Sequence, residues 1–115
     1  VFNPNWERFG HLFLWNQSNY YINGMDPIFM YAYDPRLYWK AHFIAKDQAG
    51  ARTCGAIRCT PETSEETYSV LKRDFRASYV VVEKYRLPNF AAYVASDARF
   101  VNVFEDRRVA VYKVN

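Results

Sequence analysis

At 115 residues and 13.6 kDa the chain has the size of one domain, which buries roughly two-thirds of its unfolded surface and needs neither metal nor disulfide to fold. Its 15 Lys and Arg against 12 Asp and Glu leave a net charge of +3 on scattered positions, too little to point to nucleic acid. Half the residues are hydrophobic and 19% aromatic, yet apolar runs such as Tyr79-Val80-Val81-Val82 fall far short of the roughly 20 residues of a membrane helix, so no bilayer-spanning segment is expected.

Val1-Phe2-Asn3 reads as part of a strand, and with no initiator methionine or signal-peptide pattern ahead of it the chain is expected to be a fragment of a longer polypeptide. Asn3-Pro4 or Asn5 can cap a helix with Trp6, Phe9, Leu12 and Phe13 on one face, ending near Asn16. Tyr20-Tyr21-Ile22 follows as a short strand into a turn at Asn23-Gly24. Asp26-Pro27 and Asp34-Pro35 each place a side-chain acceptor before a proline. That pairing serves the open N–H groups of a first helical turn, so two successive helix starts are predicted. After the second, Leu37, Tyr38, Ala41 and Ile44 recur at helical spacing and should face a core, leaving Arg36, Lys40 and Asp47 outside.

Gly50, Gly55 and small or polar residues predict one long, mobile loop from Lys46 to Pro61. Thr60-Pro61 should then open a helix, with Glu62, Glu65 and Glu66 near its positive end, Tyr68, Leu71 and Phe75 as its apolar stripe, and Lys72, Arg73 and Arg76 in its closing turn. Ala77 to Glu83 is a β-branched run suited to a central strand covered on both faces. Pro88 opens a helix of roughly Asn89 to Ala95, which Ser96-Asp97 ends. Phe100 to Glu105 and Val109 to Val114 alternate as a hairpin joined by Asp106-Arg107. The order predicts a single layered α/β domain over residues 1–115: a mixed, mostly parallel sheet flanked by helices, with a C-terminal antiparallel hairpin.

Asp26 and Asp34 are a carboxylate pair in a dense aromatic setting, the kind of pair a glycosidase uses, although capping accounts for both without catalysis. Trp15, Trp39, Tyr31 and Tyr33 could stack on sugar faces or lie at a lipid headgroup layer, where the plainer alternative is packing of helices onto the sheet. Cys54 and Cys59 suit a small-loop disulfide outside the cytosol and free thiols inside it; the former is favoured. With His11 and His42 they lack the spacing of a zinc site, and no nucleotide or serine-hydrolase motif occurs, so no metal and no cofactor are expected.

Three runs, LFLWNQSNYYINGMDPIFMYAYDPRLYW, LKRDFRASYVVVEK and DARFVNVFEDRRVAVYKV, resemble the C-terminal soluble domain of bacterial polytopic membrane proteins of the GT-C glycosyltransferase superfamily, the group similar to dolichyl-phosphate-mannose protein mannosyltransferases. The likeness spans nearly the whole chain. It is strongest in the G-x-DP-x-F-M-Y-x-Y-DP-x-L-Y pattern of Gly24 to Tyr38 and weakest over Lys46 to Pro61, whose cysteines are not a family feature. The resemblance implies an enzyme that moves a sugar from a polyprenyl-phosphate donor, with this domain on the periplasmic side of the inner membrane, tethered to the membrane-embedded part of its parent. The family's catalytic acid lies near the N-terminal membrane helices, so no catalytic residue carries over, and the implied role is a noncatalytic cap or acceptor-binding part that meets a glycan or lipid-linked sugar. Two other readings stand beside it: a free-standing sugar or small-molecule binding module using residues 19–44, and a small hydrolase using Asp26 and Asp34.

Overall fold

The computed structural model describes Phe2 and residues 33–115. The expected helix after Asn3-Pro4, the strand Tyr20–Ile22 and the helix start at Asp26-Pro27 lie outside the described residues.

Helix α1, Pro35–Ala45, begins where Asp34-Pro35 predicts. Asp34 is extended, its Oδ1 accepts the Arg36 N–H at 3.0 Å, and proline occupies the first turn, where its missing donor loses nothing. Ala41 and Ile44 are buried, Leu37 packs against the core and Tyr38 is half-buried. Lys40, expected outside, is itself buried at 8% exposure. Asp47 ends the segment in the left-handed region, φ 57°, which Asp tolerates better than most residues.

The expected long loop holds β1, Arg52–Cys54, which pairs antiparallel with β2, Ser64–Glu66, in the register Arg52↔Glu66 and Cys54↔Ser64. The helix predicted from Pro61 therefore starts later. Thr60 and Thr63 close a turn on each other, Thr60 N donating to Thr63 Oγ1 at 2.9 Å, and the ladder to β1 takes up Ser64–Glu66. Short helix α2, Thr67–Ser69, follows and widens into a π-helical turn over Val70–Asp74, closed by Phe75 N donating to Val70 O at 3.1 Å. The wider turn still buries Val70, Leu71 and Phe75.

Strand β3, Tyr79–Glu83, helix α3, Pro88–Ser96, and the hairpin of β4, Phe100–Glu105, with β5, Val109–Val114, complete the chain. The sheet order is β3-β5-β4, with both pairings antiparallel. The mostly parallel α/β sheet is thus corrected to two small antiparallel sheets with a few helices. A crossover does exist: β3 and β4 run in the same direction and are joined through α3. They are not neighbours, because β5 turns back from β4 and occupies the slot between them, a split β-α-β arrangement. Among the described residues the parallel pairing is confined to Phe2 beside Val80, with Phe2 N donating to Tyr79 O at 2.8 Å and Val81 N to Phe2 O at 3.0 Å.

Strand β3 accordingly alternates, with Val80 and Val82 buried and Tyr79, Val81 and Glu83 half-buried; it is not a strand sealed on both faces. Its inward residues join Ala110, Tyr112 and Val114 of β5 and Phe100 of β4 in a core closed by Ile44 of α1, Leu71 of the π-helical turn and Phe90 and Val94 of α3. The hairpin connection runs one residue longer than expected: Asp106 N donates to Val109 O at 2.9 Å, while Asp106 Oδ1 accepts from Arg108 N and Val109 N. Between Asn102 and Phe104 the register slips, making Val103 the extra residue of a β-bulge on the outer strand.

Candidate functional site

Residue 40 falls on the same helical stripe as Leu37, Ala41 and Ile44, so α1 turns Lys40 toward the body of the protein. There it meets a cleft of about 300 Å³, with Asp34, Arg36 and Leu37 on the α1 side and Glu65, Arg73 and Asp74 opposite. Lys40 Nζ lies 2.5 Å from Glu65 Oε2 and 2.7 Å from Asp74 Oδ2. Arg73 bridges the same two acids from the other side, with Nη2 2.6 Å from Glu65 Oε1 and Nε 2.7 Å from Asp74 Oδ1. Two cations and two carboxylates alternate in a closed ring with no net charge.

Each member comes from a different local rule. Helical spacing supplies Lys40; the two-residue period of β2 sends Glu65 to this cleft and Glu66 away from it; the π-turn brings Arg73 and Asp74 together. Arg73 hydrogen bonding, joined by Lys40, pulls the Asp74 carboxyl down to about 2, and hydrogen bonds from Lys40 and then Arg73 hold the Glu65 carboxyl below its ordinary value. Both acids are therefore ionised at neutral pH and engaged by cations, which makes the ring a clamp between α1, β2 and the π-helical turn rather than a proton-transfer device.

The disulfide loop rests on this clamp. Cys54 and Cys59 are bonded, their Cα atoms 5.5 Å apart. Thr53 Oγ1 donates to Lys40 O at 2.9 Å, and a Cβ placed on Gly55 would stand 3.2 Å from Lys40 Cε. Glycine thus lets the loop backbone lie along the lysine stem.

Glu66 takes part in a second network. Arg99 Nη2 lies 2.6 Å from Glu66 Oε1 and 2.7 Å from Asp97 Oδ2, and its guanidinium carbon sits 3.9 Å from the Tyr68 ring centre. Arg99 hydrogen bonding draws Asp97 down to about 2. Beside it the Tyr93 hydroxyl is enclosed with no well-formed hydrogen bond among the described residues, and burial first, then the charge of Asp97, pushes its pKa up.

Of the residues singled out from sequence, Asp34 caps α1 on the rim of the cleft, with Arg36 Nε 3.8 Å from its carboxylate. Tyr33 is 86% exposed just ahead of it. Trp39 is half-buried in an aromatic row with Tyr38 at 5.0 Å, His42 at 5.3 Å and Phe43 at 6.3 Å between ring centres. Asp26, Tyr31 and Trp15 lie outside the described residues. Sequence reasoning missed Lys40, Glu65, Arg73 and Asp74 as a group, although one signal was present: a lysine on an apolar helical stripe needs a buried counter-ion. Among the described residues no cluster of His, Cys, Asp and Glu is disposed to hold a metal ion, and no helix is long and apolar enough to cross a membrane. Set against known protein families, curated proteins and solved structures, the chain matches none.

Proposed function

We propose that this chain is a noncatalytic, periplasmic domain of a membrane glycosyltransferase-like protein, acting as a cap or acceptor-binding part while the membrane-embedded portion of the parent transfers the sugar from a polyprenyl-phosphate donor. The observation that supports the noncatalytic part is the closed Lys40–Glu65–Arg73–Asp74 ring, in which four of the charged groups lining the cleft are engaged with one another, while Asp34 caps α1. The pairing of Cys54 with Cys59 fits an oxidising compartment, and the Asp-Pro pattern of Gly24 to Tyr38 supports the family likeness. The isolated chain, incubated with polyprenyl-phosphate sugars and peptide or glycan acceptors, should neither transfer nor hydrolyse the sugar. Turnover that Asp34→Asn or Glu65→Gln abolishes would overturn this reading.

The aromatic row at Trp39 favours a second reading, a sugar-binding module, since a half-buried indole flanked by His42 and Phe43 offers a flat stacking surface. Calorimetric titration with mono- and oligosaccharides, repeated on Trp39→Ala, separates the two: this reading needs affinity that the substitution removes.

A further inference from the structure

Strand β4 is exposed along almost its whole length beyond Phe100. Val101, Val103 and Phe104 show 43%, 51% and 54% of their surface, on the outer edge of the sheet away from β3. Large apolar side chains grouped on an edge call for a partner. At the same end of the sheet stands the hairpin tip, and Lys84 N donates to Arg108 O at 2.8 Å, which brings the turn after β3, with Tyr85 80% exposed, beside that tip. Lys84 Nζ is 3.3 Å from Glu105, and Asp106 accepts two backbone N–H groups of its own turn, which keep it ionised. Arg107 and Arg108 carry no side-chain ion pair among the described residues, and with Lys84 they set three cations against the two acids Glu105 and Asp106, so the tip keeps a net charge of +1 next to the apolar edge.

Two observations select the occupant. Another β-strand would need a regular row of open backbone groups, and the bulge at Val103 interrupts that row, which disfavours strand addition by a second copy. Paired arginines beside Val103, Phe104 and a phenol match the anionic phosphate and shallow acyl layer of a lipid surface, where basic side chains meet headgroups and apolar ones enter the boundary. We infer that the outer face of β4 and the β4–β5 tip dock on an anionic phospholipid headgroup layer, Arg107 and Arg108 meeting the phosphates and Val103 and Phe104 entering beneath them. The inference does not depend on the glycosyltransferase reading, since a free-standing protein with this edge would bind in the same way.

The test is co-sedimentation of the 115-residue chain with phosphatidylglycerol-containing vesicles and with pure phosphatidylcholine vesicles. Binding to the anionic vesicles only is expected, weakening as salt shortens the screening length to about 3 Å near 1 M. Arg107→Ala with Arg108→Ala should lower the partition coefficient at least about tenfold, as loss of two near-surface charges requires, and Phe104→Asn should lower it several-fold more. These positions are exposed, so circular dichroism should report an unchanged fold; as an independent readout, Phe104→Trp should shift its emission to the blue on adding anionic vesicles and not neutral ones. No binding to anionic vesicles, equal binding to both kinds, or an arginine variant that binds undiminished would overturn the inference, as would light scattering that shows a dimer dissociated by Phe104→Asn. None of these outcomes touches the sugar-transfer assay, whose failure is separate.

Discussion

The carboxylate of Asp47 caps helix α3 from forty-odd residues away: Oδ1 accepts the Phe90 N–H at 2.9 Å and Oδ2 the Asn89 N–H at 3.0 Å. The residue in the local capping position, Leu87, has no side chain able to serve those donors. Asp47 reaches them because its own backbone turns left-handed at the end of α1, so one residue both stops one helix and starts another. Asp47→Ala should lower stability by about 1–2 kcal/mol and Asp47→Asn by less, read as a shift in the urea midpoint without a change in slope. Equal losses from both substitutions would show that the cap is not the cause.

Lys40 is the most buried member of its ring, with 10% of its side chain exposed against 34% for Glu65 and 16% for Asp74. Lys40→Met leaves two carboxylates facing each other across Arg73, and should cost about 2–3 kcal/mol, at or just below the low end of the range for breaking a buried pair because the acids retain some water. Combining it with Asp74→Asn should recover part of that loss, giving a coupling of about 1 kcal/mol or more in a double-mutant cycle. Strictly additive effects would mean the ring is a crowd of independent charges.

Acid should weaken the fold in a defined direction. Asp74 and Asp97 are both drawn down to about 2 by Arg73 and Arg99, below the unfolded value near 3.9. The unfolded chain therefore binds protons first, and the stability these groups contribute, complete above about pH 5, drains away as the pH falls toward 2. Asp97→Asn should flatten the urea-midpoint profile below about pH 4. An unaltered profile would remove the Arg99 pairing from the explanation.

His42 acts in the neutral range. Burial, then the charge of Lys46, holds its pKa below the ordinary 6.5, so protonation is easier in the unfolded chain and stability should decline as the pH drops below about 6.5. His42→Gln should abolish the change in urea midpoint between about pH 7 and pH 5.5. If the decline persists in that variant, another group titrates there.

Cys54 and Cys59 are five positions apart, so their bond closes a very small loop and constrains the unfolded chain by about 2 kcal/mol. Replacing both with serine, or reducing the bond, should lower stability by that amount. Because Gly55 lies on the Lys40 stem, the loss should shrink in a Lys40→Met background. Independence of the two would separate loop and clamp.

Local chemistry was legible wherever a residue acts on its own neighbours in the chain. Asp34-Pro35 starts a helix, Pro88 starts another, and the alternating runs of Phe100–Glu105 and Val109–Val114 form a hairpin, because caps, proline geometry and strand period are properties of a few consecutive residues. Only the tertiary structure decided what competed with those signals. The β1 ladder overrides Thr60-Pro61 as a helix start, β5 enters between β3 and β4, Asp47 caps α3, and Lys40 turns inward to two acids separated from it by 25 and 34 positions. Each of these is a pairing between distant segments, whose energy depends on which backbone groups and charges are brought together in space, and no window of sequence contains both partners.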